Sequence, residues 1–140
     1  MAKVLLIDDE SAILEMYKVK LEQEGYAVLT ALNGEDGIDM AKKERPDIIL
    51  LDIIMPRLNG FDVLKMLKEA SETKTIPVFM TTNLPEHMSG EKARQLGAVN
   101  YLVKAEYEPG MMADVLKRYL DQNKPGAAAQ PATAATPPTS

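Results

Sequence analysis

Asp47-Ile48-Ile49-Leu50-Leu51-Asp52 is the stretch that decides the fold. Four large aliphatic residues in a row, with no polar alternation, are the pattern of a short strand covered on both faces, as parallel strands are. Val4-Leu5-Leu6-Ile7 repeats the pattern and also runs into aspartate, at Asp8-Asp9. Tyr26-Ala27-Val28-Leu29, Pro77-Val78-Phe79-Met80 and Tyr101-Leu102-Val103 are weaker runs of the same kind. Between them the apolar spacing turns helical. Ile13, Leu14, Tyr17 and Leu21 form one stripe, closed by Gly25; Val63, Leu64 and Leu67 form another. Met112, Val115, Leu116, Tyr119 and Leu120 form the clearest, with Pro109 in its first turn. Two further helices are thinner. The one from Gly34 to Lys43 has only Ile38, Met40 and Ala41 as apolar material. The other lies within Pro85 to Leu96, stopped by Gly97. It contains Gly90, which costs about 1 kcal/mol relative to alanine, so it is expected to start late, at Ser89, or to be mobile. Five strands alternating with five helices make an α/β fold, a doubly wound parallel sheet with helices on both faces.

Composition bounds the rest. A chain of 140 residues is of single-domain size, and with no cysteine it has neither disulfides nor thiolate metal sites. A net charge of −5 argues against a nucleic-acid-binding surface. No apolar stretch approaches the ~20 residues of a membrane helix, and strand-like sequence begins at once after Met1-Ala2-Lys3, leaving no room for a signal peptide. The expectation is a cytoplasmic domain without nucleic-acid or membrane partners. Residues 125–140, PGAAAQPATAATPPTS, carry no charge, no aromatic and no large aliphatic side chain, and hold four of the nine prolines. Such a segment cannot bury enough apolar surface to offset its ordering entropy. Residues 1–124 are therefore read as the folded domain and 125–140 as a flexible tail or linker.

The chemistry gathers at the strand ends. The first run ends in Asp8-Asp9, the third in Asp52, the fourth in Thr81-Thr82 and the fifth in Lys104. Open α/β sheets bind ligands at the carboxyl ends of their strands. Singly, an aspartate after a strand is an ordinary turn or capping residue, and a lone lysine or threonine is ordinary surface. Jointly, three carboxylates, a hydroxyl and an ammonium converge on one edge of the sheet. Three carboxylates held together repel, and an all-oxygen, partly hydrated acidic site suits Mg²⁺. Asp52 ends the most buried run and is the best placed nucleophile, since carboxylates form acyl-phosphates. Asp8 and Asp9 would hold the metal, while Thr82 and Lys104 would neutralise phosphoryl oxygens.

These segments, V-L-L-I-D-D-E, D-I-I-L-L-D-I-I-M-P-R-L-N-G-F-D, P-V-F-M-T-T-N and G-A-V-N-Y-L-V-K, resemble the receiver domain of two-component response regulators over residues 3 to about 121. The resemblance implies a strand order of 2-1-3-4-5, the flavodoxin-like arrangement, and adds the backbone carbonyl of Ile54 to the metal ligands. It implies a phosphoacceptor switch, not an enzyme in the ordinary sense, that takes a phosphoryl group from a histidine kinase or phosphotransfer protein onto Asp52. It implies further that Thr82 then moves toward the phosphoryl group and Tyr101 turns inward. The face of the fourth helix, fifth strand and fifth helix thereby changes its affinity for a downstream protein. Ile54 and Leu84 occupy the two positions that modulate dephosphorylation in the family. Being apolar they cannot position water, so a long-lived phosphoryl group is expected.

Two positions depart from the family pattern. Ala105 follows Lys104 where proline is usual, often after a cis peptide bond, and a cis bond costs about 2.5–4 kcal/mol before any other residue. That puts the orientation of this loop in question. Asn83 follows Thr82 where many relatives have alanine, and the sequence offers no account of it. His87, the single histidine, stands beside Pro85 and Glu86 and reads as a solvated loop residue. Met55, Met111 and Met112 read as core or partner surface. Rival functions fare worse. An Asp-nucleophile phosphatase needs a second acid where Ile54 stands. A flavin domain needs a hydroxyl- and glycine-rich loop where Asp8-Asp9-Glu10 would repel phosphate. A pseudo-receiver that only binds proteins is the remaining alternative, and it would typically have lost one of the acidic residues or Lys104.

Overall fold

A computed structural model describes residues 2–122; the expected tail at 125–140 lies outside the described residues. Strands and helices alternate as β1 (Lys3–Ile7), α1 (Ser11–Gln23), β2 (Ala27–Ala31), α2 (Gly34–Glu44), β3 (Ile48–Asp52), α3 (Gly60–Glu69), β4 (Val78–Thr82), α4 (Glu86–Gln95), β5 (Asn100–Val103) and α5 (Pro109–Gln122), with a 3₁₀ turn at Lys104–Glu106. All strand pairs are parallel and the order is β2-β1-β3-β4-β5. β3 and β4 are buried along their whole length, which is why their sequences are uninterrupted apolar runs.

The two faces of the sheet carry separate cores. Leu5, Ile7, Ile49, Leu51, Val78 and Met80 point to one side and pack with α2, α3 and α4. Val4, Leu6, Ile48, Leu50, Phe79 and Leu102 point to the other, against α1 and α5. This is the period-two alternation of strands, with both sides made apolar. Each of these side chains, fully buried, contributes roughly 1.5–3 kcal/mol.

Helix ends follow the expected punctuation. α1 and α4 both close with a left-handed glycine, Gly25 (φ 97°) and Gly97 (φ 110°). The N–H groups of Tyr26 and Ala98 then reach back to the carbonyls of Leu21 and Ala93, a Schellman closure that satisfies the last-turn carbonyls. One expectation is overturned: α4 starts not at Ser89 but at Glu86, directly after Pro85. The glycine does not delay the start because Pro85, in extended conformation (φ −61°, ψ 146°), sets the direction of entry and Glu86 brackets the helix by pairing with Arg94 at 2.8 Å. Met55 and Met112 are core residues and Met111 is exposed; His87 is exposed as expected, but in the first turn of α4 and not in a loop.

Candidate functional site

Register places the chemistry. Ile7 of β1 lies beside Leu51 of β3, so the next residues, Asp8 and Asp52, emerge side by side. Asp52 in turn lies beside Thr81, and Thr82 beside Val103, the residue before Lys104. Asp8 and Asp52 are each only 4% exposed, whereas Asp9 is exposed. One carboxylate oxygen from each of the three lies within 4.8 Å of the others. Asp9 and Asp52 line a cleft together with Ile54, Thr82, Asn83 and Lys104.

Lys104 spans the cluster. Its Nζ is 2.5 Å from Asp8 Oδ2, 3.4 Å from Asp52 Oδ2 and 3.7 Å from Glu10 Oε1. Burial works against its ammonium, but the hydrogen bond to Asp8 and the charges of Asp52 and Asp8 outweigh it, so Lys104 is held above its ordinary pKa. Asp52 is pushed up to about 6, first by burial and then by the neighbouring Asp8 charge, with Lys104 and the Ile54 N–H opposing. One ammonium against three carboxylates leaves the site with a surplus of negative charge. Oxygen donors in that arrangement fit a divalent cation, which would relieve the repulsion that raises Asp52.

The loop after Asp52 is held by α3. Asn59 and Asp62 form a reciprocal capping box, with Asn59 Oδ1 accepting from the Asp62 N–H (3.0 Å) and Asp62 Oδ2 from the Asn59 N–H (3.2 Å). The Gly60 N–H then donates to the Ile53 carbonyl at 2.7 Å. A methyl group at Gly60 would collide with the Asp52 carbonyl and sit 2.6 Å from Ile53 Cα. The asparagine–glycine pair thus presses a capped helix against the backbone that carries Asp52.

Thr82 is fully buried, and its Oγ1 accepts from the Leu84 N–H (3.3 Å). Tyr101 lies inward, 6% exposed, its hydroxyl donating to the Leu84 carbonyl at 2.9 Å. Since that uses its one proton, Ser89 must be the donor in the 2.9 Å contact between the two hydroxyls. Ile54 is 59% exposed at the rim. No peptide bond among the described residues is cis, so Ala105 follows Lys104 through a trans bond. Ser89, Gly60 and Glu10 were not read as site residues from the sequence. Glu10 and Gly60 stood inside quoted motifs, whereas the pairing of Ser89 with Tyr101 depends on how α4 packs on β5.

The sequence model of the response regulator receiver domain matches residues 4–117, most of the chain. The chain belongs to this family. As a receiver it is a signalling switch of two-component systems and not a classical enzyme. It is 38% identical to protein PilH of Pseudomonas aeruginosa over 117 residues, covering 82% of this chain and 95% of that protein. It is 36% identical to the alkaline phosphatase synthesis transcriptional regulatory protein PhoP of Bacillus subtilis, covering 73% of this chain but 42% of that longer protein. Among solved structures, the chemotaxis protein CheY4 of Vibrio cholerae superposes with a TM-score of 0.79 at 34% identity, covering 84% of this receiver and 98% of that chain. A CheY-like receiver of Methanospirillum hungatei gives 0.81 at 26% identity, over 89% and 97%. No helix among the described residues is long and apolar enough to cross a membrane.

Proposed function

We propose that this receiver accepts a phosphoryl group on Asp52 from a histidine kinase or phosphotransfer protein in the cytoplasm. The observation that carries the reading is the cluster itself: Asp8, Asp9 and Asp52 within 4.8 Å, with the Lys104 ammonium bridging Asp8 and Asp52. Asp52 contributes a carboxylate oxygen that bonds to phosphorus as the bond from phosphorus to the donor's histidine nitrogen breaks, and the electron pair leaves with the imidazole. With a pKa of about 6, Asp52 is largely ionised above pH 7, so no base is required to prepare it.

Asp8, Asp9, Asp52 and the Ile54 carbonyl are the residues that would hold Mg²⁺. When bound, the ion offsets charge on the phosphoryl oxygens and on the crowded carboxylates. Lys104 would turn from Asp8 to a phosphoryl oxygen, and Thr82 would donate its hydroxyl to another. Tyr101 already lies inward, so the switch is a shift in population toward an arrangement the fold reaches by itself. Output runs through the face of α4, β5 and α5, two of whose helices carry an exposed methionine, Met88 on α4 and Met111 on α5.

Intact mass after incubation with acetyl phosphate tests the reading. A single phosphoryl adduct is expected in the native chain with Mg²⁺, and none without Mg²⁺ or in Asp52→Asn. A folded native chain that takes no adduct under any of these conditions would make the protein a pseudo-receiver acting only by binding other proteins.

A further inference from the structure

The two positions at which this chain departs from the family pattern touch each other. The Ala105 N–H donates to Asn83 Oδ1 at 3.1 Å. A proline at 105 would have no N–H to give, and an alanine at 83 would have no oxygen to receive it. Because the donor is a backbone amide, the orientation of the Asn83 side chain is fixed: its carbonyl oxygen faces Ala105. Among the described residues this is the hydrogen bond that links the loop after β4 to the loop after β5 next to the acidic cluster.

Its placement is specific. Asn83 directly follows Thr82, and Ala105 directly follows Lys104. The chain therefore runs Thr82–Asn83, crosses one hydrogen bond, and returns through Ala105–Lys104. The two groups that would meet the phosphoryl oxygens each sit one residue from this link. Lys104 also opens the 3₁₀ turn, its carbonyl accepting from the Tyr107 N–H at 3.2 Å. The turn and the Asn83 contact together fix the backbone from which the lysine side chain reaches Asp8 and Asp52. Asn83 and Ala105 are both exposed, so water can take over either group and loss of the contact does not threaten the fold.

We propose that Asn83 is a positioning residue, whose side-chain carbonyl ties the Lys104 loop to the Thr82 loop through the Ala105 N–H so that hydroxyl and ammonium are presented to Asp52 as one unit. The proposal rests on Asp52 being the phosphoacceptor, and its test separates the two. Asn83→Ala, Ala105→Pro and the double variant are compared with the native chain, each checked for cooperative unfolding. Three readouts are taken: the rate of adduct formation with acetyl phosphate at saturating Mg²⁺, Mg²⁺ affinity by calorimetry, and amide hydrogen exchange at residue 105 where an N–H is present.

In Asn83→Ala, phosphorylation is expected to slow about fivefold, the range one hydrogen bond of ordinary net strength commands. Mg²⁺ should bind no more weakly, because no metal ligand is touched, and the Ala105 amide should exchange faster. In the Ala105→Pro background, the Asn83 substitution should have no further effect on the rate. An equal slowing in both backgrounds would overturn the proposal by showing that Asn83 acts elsewhere. So would an unchanged rate, an unchanged Ala105 exchange, or a loss of Mg²⁺ affinity in step with the rate. A native chain that takes no phosphoryl group at all would instead refute the phosphoacceptor reading, and the exchange at Ala105 would still report whether the link exists.

Discussion

α3 and α4 are neighbours on the same face of the sheet and each spans ten residues, yet they are built differently. α3 buries Val63, Leu64 and Leu67 and begins with a full capping box. α4 buries Ser89, Gly90 and Ala93, and its N-cap, Pro85, offers no side-chain hydrogen bond. The difference sorts by what each helix stands beside. α3 presses through Gly60 on the backbone of Asp52, the proposed phosphoacceptor. α4 stands over Tyr101, whose hydroxyl reaches Leu84 and Ser89 at the start of that helix. One wall of the site is held by aliphatic packing, the other by a few hydrogen bonds, and low local burial is the physical content of a movable element.

The largest test of that contrast is truncation. Leu64→Ala empties a fully buried position of α3 and is expected to cost about 2–5 kcal/mol in urea unfolding. α4 has no large buried aliphatic to remove; Ala93→Gly at a fully buried position should cost only about 1–2 kcal/mol, the propensity difference plus one buried methyl. Comparable losses in the two helices would erase the distinction.

Asp52 shows what the rigid wall sustains. Its carboxyl is raised from the ordinary 3.8 to about 6. Between those values the folded protein binds this proton and the unfolded chain does not, so this group's contribution to stability falls as pH rises from about 4 to about 6 and stays low above. At about 1.4 kcal/mol per pH unit the full effect is on the order of 3 kcal/mol. In chelator, Asp52→Asn should therefore be more stable than the native chain at pH 7, with the difference shrinking toward zero near pH 4. A difference that does not vary with pH would mean that Lys104 already compensates the site.

The next effect is kinetic. Ile54 is an exposed aliphatic at the rim, beside the aspartate, and has nothing with which to orient water. Ile54→Asn is expected to shorten the life of the phosphoryl group by roughly tenfold, less than a full general base supplies. The native adduct should persist well beyond seconds; decay within seconds, or no change in the variant, would show that water is positioned by another group.

Much of this contrast was legible in the sequence, for identifiable reasons. β1 and β3 announce themselves as unbroken aliphatic runs because both their faces are covered, and register then carries Asp8, Asp52, Thr82 and Lys104 to one edge. α3 was legible from its stripe. α4 was legible only as a helix somewhere within Pro85 to Leu96; its start was not, because a helix that buries serine, glycine and alanine leaves no apolar period to read, and its start at Glu86 depends on Pro85 and on the pair with Arg94. Nor could spacing reveal that Asn83 meets Ala105, since 22 residues and an entire helix separate them. What stayed hidden is long-range and polar, and it belongs to the weakly packed wall.

The cap sharpens the comparison at smaller scale. Asn59→Ala removes the acceptor for the Asp62 N–H and should cost about 1 kcal/mol in urea unfolding, with faster amide exchange confined to the first turn of α3. If exchange in α4 rose as well, the two walls would be one cooperative unit and not two.

Gly90→Ala addresses the weak wall with the smallest change. Alanine gains about 1 kcal/mol of helix propensity over glycine. Against this, its methyl would lie 2.6 Å from Glu86 Cγ, so Glu86 must turn and loosen its exposed pair with Arg94, worth at most about 1 kcal/mol. The balance is expected to be a gain of a few tenths of a kcal/mol, with slower amide exchange in α4 and none of it reaching α3. A loss of stability instead would show that the Glu86–Arg94 pair, and not backbone freedom at the glycine, sets how firmly α4 is held. The movable wall would then be governed by a surface ion pair that added salt should weaken.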